Sequence, residues 1–252
     1  MRVLGFDTET TGLDPKTAHI LEMGAVMFDV TDGVWSPIAH VNELIHDERI
    51  YPLNPEAQAI NGITEEMLRA SGVSFKDALI EVVKLGIPDF VIAHNAQYDK
   101  DMFRADCTFN QIHSVLLDVP WLCSRNDIEH APPKTSGLAH LALDYHVVVD
   151  PSKLHRASAD VELMGAMLSA AKANPSEMKA YKDIPLLVIS TPTEKPWLDG
   201  GVSNSAAKEA GYRYESANFK IFKNKWVKTI RQNKLAEEKL PYTIIEEVQI
   251  GW

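Results

Sequence analysis

Two carboxylates one residue apart stand in "FDTETTGLDP", residues 6–15. Asp7 and Glu9 directly follow the apolar stretch "RVLGF", which is typical of a buried β-strand. Side chains at positions i and i+2 of a strand point to the same side, so both carboxylates share one patch while Thr8 faces away. Two adjacent carboxylates repel each other unless a partner lies between them. The pair therefore indicates either a site for Mg²⁺ or Mn²⁺, which prefer oxygen ligands, or a solvated strand end.

Two further acidic residues lie at the starts of predicted helices. In "FVIAHNAQYDKDMF" a buried strand leads into a helix with Asn95 as its expected cap, and Asp99 follows one turn later. In "LHRASADVELMGAML" His155 precedes Asp160 by five residues, with the helix expected to begin near Arg156. The alternative for Asp99 is stabilisation of the helix dipole, and the alternative for His155 is an ordinary surface histidine.

The surrounding pattern predicts an α/β fold. Three strands joined by short links, "RVLGFDTE", "HILEMGAVMFDV" and "VWSPIAHVNEL", favour an antiparallel meander. After them we expect a loop at "NPEAQAINGI", helices near 64–70, 75–85 and 96–105, strands at "DFVIAH" and "SVLLDV", and helices at "GLAHLALDYH" and "ASADVELMGAMLSAAKAN". A meander followed by strands that alternate with helices predicts a mixed sheet flanked by helices.

The chain of 252 residues is long enough for one domain and a smaller appendage. We predict a domain over residues 1–173, a linker or irregular connection over 174–201, and a small basic and aromatic region over 202–252. The sequence has neither a membrane-length apolar stretch nor a signal peptide, so we expect a cytoplasmic protein that does not bind membranes. Two cysteines without a CxxC pattern indicate buried thiols and neither a disulfide framework nor a cysteine zinc site.

The charge is unevenly distributed along the chain. A net charge of −10 argues against nucleic acid as a ligand, but residues 201–240 hold nine Lys and Arg against four Asp and Glu. Carboxylates that hold divalent cations can also bind phosphates, because the ions become the dominant local charge.

The C-terminal region interleaves aromatic and basic residues. It could therefore be a single-strand-binding surface, or a small unit whose aromatics form its own core and whose lysines face solvent. A partner-docking role is equally open. The aromatic residues are Tyr212, Tyr214, Phe219, Phe222 and Trp226, and the basic ones are Arg213, Lys220, Lys223, Lys225 and Lys228.

Three of these stretches together resemble the exonuclease motifs of the DEDDh, or DnaQ-like, 3′→5′ exonucleases. "FDTETTG" resembles motif I, "AHNAQYD" motif II and "HRASAD" the form of motif III with a histidine five residues before the last aspartate. Order and spacing agree over residues 1–172. The segments "NPEAQAINGIT" and "VIAHNAQYD" are similar to the exodeoxyribonuclease X and DNA polymerase III epsilon-like branch. Tyr98 departs from the family, which more often has Phe there.

The resemblance implies a ribonuclease H-like sheet on which Asp7, Glu9, Asp99 and Asp160 hold two Mg²⁺ or Mn²⁺ ions. It assigns His155 as the base that takes a proton from the attacking water, and nucleoside 5′-monophosphates as the products.

The resemblance also implies contacts to the 3′ end of the substrate. We expect these contacts to come from Thr8, Leu13, Ile60 and Ile63, with Asn95 shaping motif II beside them. Alternatively, the two isoleucines only staple the following helix.

The predicted function is a metal-dependent 3′→5′ exonuclease on DNA, single-stranded in preference, that acts in repair, degradation or proofreading with a polymerase or repair partner. One alternative is a 3′→5′ exoribonuclease, since the same motifs serve RNA. The other is a non-catalytic nucleic-acid-binding protein on the same scaffold. That alternative predicts the loss of a carboxylate or of the histidine, and none is missing.

Overall fold

The sheet that carries the acidic residues has five strands in the order β3-β2-β1-β4-β5. They are β1 (Arg2–Thr10), β2 (Ile20–Thr31), β3 (Val34–Leu44), β4 (Phe90–Ala93) and β5 (Trp121–Cys123). β1, β2 and β3 form an antiparallel meander, whereas β4 runs parallel to β1 and β5 parallel to β4. The predicted mixed sheet is therefore confirmed.

The computed structural model describes residues 1–130, 137–191, 203–215 and 225–248. The chain divides into two units, Met1–Tyr181 and Lys182–Trp252. None of the helices within these described ranges is long and apolar enough to cross a membrane.

Seven helices of the described residues accompany the five-stranded sheet. They are α1 (Pro55–Asn61), α2 (Glu65–Ser71), α3 (Phe75–Lys84), α4 (Ala96–Phe109), α5 (Leu138–Asp144), α6 (Ala157–Ala170) and α7 (Pro175–Lys182). Short 3₁₀ turns lie at Glu48–Ile50 and Val115–Leu117. Thr64 caps α2 through a hydrogen bond from the Met67 backbone N–H.

Two local predictions were wrong. The segment "NPEAQAINGI" is not a loop, because Asn54 accepts a hydrogen bond from the Glu56 N–H and Pro55 takes the first position of α1. The segment "SVLLDV" is not a strand, because the Ser114 side chain accepts a hydrogen bond from the Leu116 N–H and starts a 3₁₀ turn. The strand of this region comes later, as β5.

Both faces of the sheet are covered. One core joins Leu4 and Phe6 of β1 to residues of α3 and α4, such as Phe75 and Phe103. The opposite core joins Val3 of β1 to α6. Even-numbered residues of β1 thus face α3 and α4, while odd-numbered residues face α6, and this alternation decides where the carboxylates point.

The second unit contains a four-stranded sheet in the order β7-β8-β6-β9, with all pairs antiparallel. Its elements are β6 (Leu186–Ser190), α8 (Asn204–Glu209), β7 (Arg213–Glu215), β8 (Lys225–Arg231), a 3₁₀ turn at Gln232–Glu237, and β9 (Thr243–Val248). The range 174–201, expected to be irregular, thus contains α7 and β6. The run "PLLVIS" forms a strand because β8 and β9 pair with it on both sides. No local sequence pattern predicts this pairing.

The C-terminal aromatics have different surroundings. Tyr212 and Trp226 are buried in a core with Leu187 and Ile189, whereas Tyr214 is about half-exposed. Lys228 forms an ion pair with Glu238 at 2.7 Å. The predicted residues Phe219, Lys220, Phe222 and Lys223 lie outside the described residues. The two buried aromatics agree with the interpretation of the region as a unit with its own core.

Candidate active site

Asp7 and Glu9 stand near the end of β1 on the side of the sheet that α6 covers. Both are odd-numbered residues of the strand and both are half-buried. Thr8, between them, points the other way and its hydroxyl lies 2.9 Å from Asp99 of α4. The alternation expected from the sequence is therefore present.

Asp99 is buried in the first turn of α4. Its Oδ1 accepts hydrogen bonds from the Thr8 backbone N–H at 3.1 Å and from the Thr8 hydroxyl at 2.9 Å. Asn95 precedes the helix in a left-handed conformation, with φ of 74°, and its side chain makes no capping hydrogen bond. Asn95 is therefore not the side-chain cap that the sequence predicted.

Asp160 lies in the first turn of α6 and His155 lies two residues before the helix begins. The His155 backbone has a φ of 62°, which turns the chain sharply into the helix. Its N–H donates to Asp160 Oδ2 at 3.2 Å. Glu9, His155 and Asp160 each offer one ligand atom, and these atoms lie within 4.8 Å of one another.

The acidic residues disturb one another's ionisation. Burial, followed by the charges of Asp99, Glu9 and Asp160, raises the pKa of Asp7 well above its ordinary value. Burial and the charges of Asp160 and Glu22 raise the pKa of Glu9 to about 7. Burial also raises the pKa of Asp99 to about 7, against the hydrogen bonds from Thr8. Charging all these carboxylates together is costly without a cation.

The donor set fits divalent metal ions. Burial raises the pKa of Asp160, and its Oδ1 is a buried oxygen without a hydrogen-bond partner among the described residues. A buried carboxylate oxygen without a hydrogen-bond partner is expected where a cation belongs. Carboxylates from β1, α4 and α6 supply the hard oxygen ligands that Mg²⁺ and Mn²⁺ prefer.

A cavity of about 970 Å³ adjoins this cluster, and Glu9 is one of the residues that line it. Thr8, Leu13 and Ile60, which were predicted to contact substrate, line this cavity, and so does Asn95 of motif II. The side chains of Leu13 and Ile60 are 85% and 65% exposed, so the cavity has an apolar rim that is open to a ligand. A volume of this order suits a nucleotide.

Ile63 was also predicted to contact substrate, but the structure places its side chain away from the cavity. Ile63 is fully buried in a small core with Leu21, Leu53 and Leu68, and it does not line the cavity. The α1 helix ends at Gly62, whose positive φ of 68° reverses the chain and turns the next side chain inward. The Ile63 side chain therefore anchors the segment after α1 to this core and does not face the cavity.

Tyr98, the departure from the family pattern, adds hydrogen bonds to the turn after β1. Its hydroxyl lies 2.6 Å from the Thr10 hydroxyl and donates to the Gly12 carbonyl at 3.0 Å. A phenylalanine cannot form these bonds. The substitution therefore fixes the turn that forms one wall of the cavity.

Sequence reasoning missed Glu22, a fully buried residue of β2. Burial opposes its charge, but hydrogen bonds from Arg156, Ala157 and Asn42 outweigh burial and hold the pKa of Glu22 below its usual value. The signal was present in "HILEMGAVMF", where one charged residue interrupts an apolar strand.

His19 was also missed. It lines the cavity, and its Nδ1 lies 2.7 Å from the buried carboxylate of Asp106, which also accepts the Ile20 N–H. No local signal links two residues that are 87 positions apart.

The sequence of this chain is similar to those of known exonucleases and polymerase subunits. A profile described as exonuclease matches residues 4–168. The DNA polymerase III subunit epsilon of Treponema pallidum is 26% identical over 191 residues, which cover 70% of this chain and 79% of that protein. Ribonuclease T of Citrobacter koseri is 31% identical over 109 residues, which cover 39% of this chain and 51% of that protein.

Solved structures share the fold. A crystal structure of E. coli exonuclease I in complex with a dA16 oligonucleotide matches with a TM-score of 0.61 and 17% identity. The match covers 92% of this chain and 64% of that one, so the present chain spans less than two thirds of the exonuclease I chain. At this identity the likeness shows the ribonuclease H-like fold alone.

Proposed function

This chain belongs to the exonuclease family, and we propose that it is a metal-dependent 3′→5′ exonuclease that releases nucleoside 5′-monophosphates from DNA. One observation carries the proposal. Carboxylates from β1, α4 and α6 converge beside His155, and one of them, Glu9, lines a cavity that suits a terminal nucleotide.

The residues divide the chemistry between them. Asp7, Glu9, Asp99 and Asp160 would hold two Mg²⁺ or Mn²⁺ ions. When bound, such ions lower the pKa of a water and stabilise the charge of the leaving 3′ oxygen. An imidazole nitrogen of His155 takes the proton of the attacking water, and the exposed position of this side chain lets it return the proton to solvent.

The cavity positions the substrate. Leu13 and Ile60 would pack against the sugar and base of the terminal nucleotide, while Thr8 holds Asp99 in place behind it. Shape and apolar contact of this kind do not depend on base identity, which suits an enzyme that removes nucleotides in succession.

The choice of DNA is supported by the relative that is a DNA polymerase subunit, and a proofreading or repair setting with a polymerase partner follows from the same likeness. The similarity to a ribonuclease T supports RNA as the second candidate substrate. In the C-terminal unit, the basic residues are a candidate surface for contacts to nucleic-acid phosphates.

The test is the digestion of matched strands of DNA and RNA, single and double, labelled at the 3′ or the 5′ end. We expect early release of the 3′ label as a 5′-monophosphate, dependence on Mg²⁺ or Mn²⁺, and inhibition by EDTA. Asp7→Asn should abolish release, whereas Asp101→Asn, which removes a carboxylate paired with Arg104 on the same helix as Asp99, should not. Faster release from RNA selects the second candidate, and equal activity in EDTA contradicts the proposal.

A further inference from the structure

The first turn of α6 is not capped by its own residues. Arg156 occupies the cap position and its side chain forms no capping hydrogen bond. The first backbone N–H groups of a helix need hydrogen-bond acceptors. The side-chain oxygen of a Ser, Thr, Asp or Asn at the cap position usually provides one. This turn bears Asp160 and follows His155, so its position matters to the candidate active site.

The acceptors come instead from two strands of the sheet. Glu22 Oε2 of β2 accepts the Ala157 N–H at 3.0 Å, and Asn42 Oδ1 of β3 accepts the Ser158 N–H at 3.1 Å. The Asn42 side-chain amide also donates to Glu22 Oε1 at 2.8 Å. The two side chains thus form one hydrogen-bonded clamp on the start of α6.

An ion pair and a glycine complete the clamp. Arg156 Nε donates to both oxygens of Glu22, at 3.1 and 3.2 Å, and its Nη2 lies 2.5 Å from Oε1. A Cβ atom at Gly24 of β2 would lie 2.3 Å from the backbone of Ala157 and Ser158. Only a glycine permits this approach, so the helix begins directly on the strand that carries Glu22.

Short hydrogen bonds connect the clamped first turn of α6 to two residues of the candidate active site. The Asp160 N–H donates to the Arg156 carbonyl at 3.0 Å, and Asp160 Oδ2 accepts the His155 N–H at 3.2 Å. Glu22 also lies directly across from Glu9 in the register of β1 and β2. A displacement of the first turn therefore moves Asp160 and His155 together, away from Glu9.

We propose that Glu22, assisted by Asn42, is a positioning residue that fixes the first turn of α6 and so holds Asp160 and His155 against Glu9. The inference rests on the proposed function, because the position of these groups matters only if the cluster binds metal and hydrolyses a substrate. Residues behind the ligands of a metal commonly set the affinity of the site in this way.

The experiment uses Glu22→Gln in the full chain, which keeps the shape of the side chain and removes its charge and one acceptor. We expect kcat to fall about tenfold or more with KM within about twofold, and Mn²⁺ affinity to weaken by about ten- to a hundredfold. The backbone N–H groups of Ala157 and Ser158 should exchange faster with deuterium. Glu162→Gln removes the same charge from an exposed position of the same helix and should change none of these quantities.

The outcomes separate this inference from the proposed function. Unchanged Mn²⁺ affinity and kcat in a folded Glu22→Gln chain overturn the positioning role. A wild-type chain that binds no Mn²⁺ and releases no nucleotide overturns the proposed function, and with it the catalytic consequence of the clamp. If Glu22→Gln does not fold, Asn42→Ala decides with the same readouts, since it removes only a half-buried neutral side chain.

Discussion

Asp99 Oδ1 accepts hydrogen bonds from both the backbone N–H and the hydroxyl of Thr8, at 3.1 and 2.9 Å. This double contact ties α4 to β1 between the two carboxylates of the strand. The family resemblance implied that Thr8 contacts the substrate, and the residue does line the cavity. Thr8 is only 7% exposed, and its hydroxyl also donates a hydrogen bond to the Asp99 carboxylate of the cluster.

Thr8→Val should therefore impair the acidic cluster. The variant keeps the shape of the side chain and the backbone N–H but loses the hydroxyl donor. A hydrogen bond to a charged group contributes about 1.5–3 kcal/mol, so we expect kcat to fall by about tenfold or more. Steady-state kinetics with a labelled oligonucleotide measure the effect. Thr8→Ser, which keeps the donor, should remain close to wild type, and equal rates for the two variants would contradict the role.

The raised pKa values predict that the acidic cluster destabilises the metal-free protein. A carboxyl whose pKa is higher in the folded than in the unfolded chain contributes stability at low pH, and this contribution disappears as the pH rises through the folded value. For Glu9 and Asp99 that value is about 7. In EDTA the melting temperature should therefore fall between about pH 5 and about pH 8.

Asp7→Asn should raise the melting temperature in EDTA near pH 8 by roughly several degrees, because it removes one of the mutually repelling charges. Added Mg²⁺ should stabilise the wild type more than the variant, which differential scanning fluorimetry can follow. Asp101→Asn, outside the cluster, is the control. A lower melting temperature for Asp7→Asn in EDTA would show that the cluster is not strained.

The residues of the cluster could be singled out from sequence because each lies in a short local pattern, but only the resemblance of the three motifs to the exonuclease family implied that they come together. Strand alternation fixes Asp7 and Glu9, and the first turns of two helices fix Asp99 and Asp160. The clamp could not be predicted in this way. Glu22 and Arg156 are 134 positions apart, and only the folded sheet brings them together.

The secondary structure likewise includes elements that the sequence pattern predicts and elements that it does not. The meander and most helices follow from apolar periodicity, but a short apolar run such as "SVLLDV" is consistent with a strand or a 3₁₀ turn. The side chain of Ser114 decides between them. Likewise, Ile60 and Ile63 are equivalent in residue type, and the chain reversal at Gly62 determines which one faces solvent.

These two isoleucines should respond differently to truncation. Ile60→Ala should raise KM by roughly severalfold and change the free energy of unfolding by less than about 0.5 kcal/mol, because the side chain is exposed on the cavity rim. Ile63→Ala should lower the free energy of unfolding by about 2–5 kcal/mol, because it opens a cavity in a packed core. Urea unfolding and initial rates measure both. A large change in KM for Ile63→Ala in the folded protein would restore it as a substrate contact.

The position of β6 determines where the chain can be cut. β6 lies between β8 and β9, so a chain that ends near residue 196 would keep β6 without its partners and expose Leu187 and Ile189. Unpaired strand edges with apolar side chains promote aggregation. We expect a chain of residues 1–182, which retains α7 whole, to be more soluble than one of residues 1–196. Light scattering and sedimentation at equal concentration measure the difference, and equal solubility would contradict it.

The same truncation tests whether the C-terminal unit binds nucleic acid. If its basic residues contact phosphates, the chain of residues 1–182 should bind long single-stranded DNA more weakly than the full chain. The difference should shrink as salt is raised, because each phosphate contact releases counterions. Fluorescence anisotropy across a salt series, with catalysis blocked by Asp7→Asn in both chains, measures it. Oligonucleotides of a few nucleotides, which offer few phosphates, are the internal control and should show little difference between the two chains. Equal affinities for the long strands at every salt concentration would assign the lysines to the solvated surface of the unit, with its aromatics serving as a core.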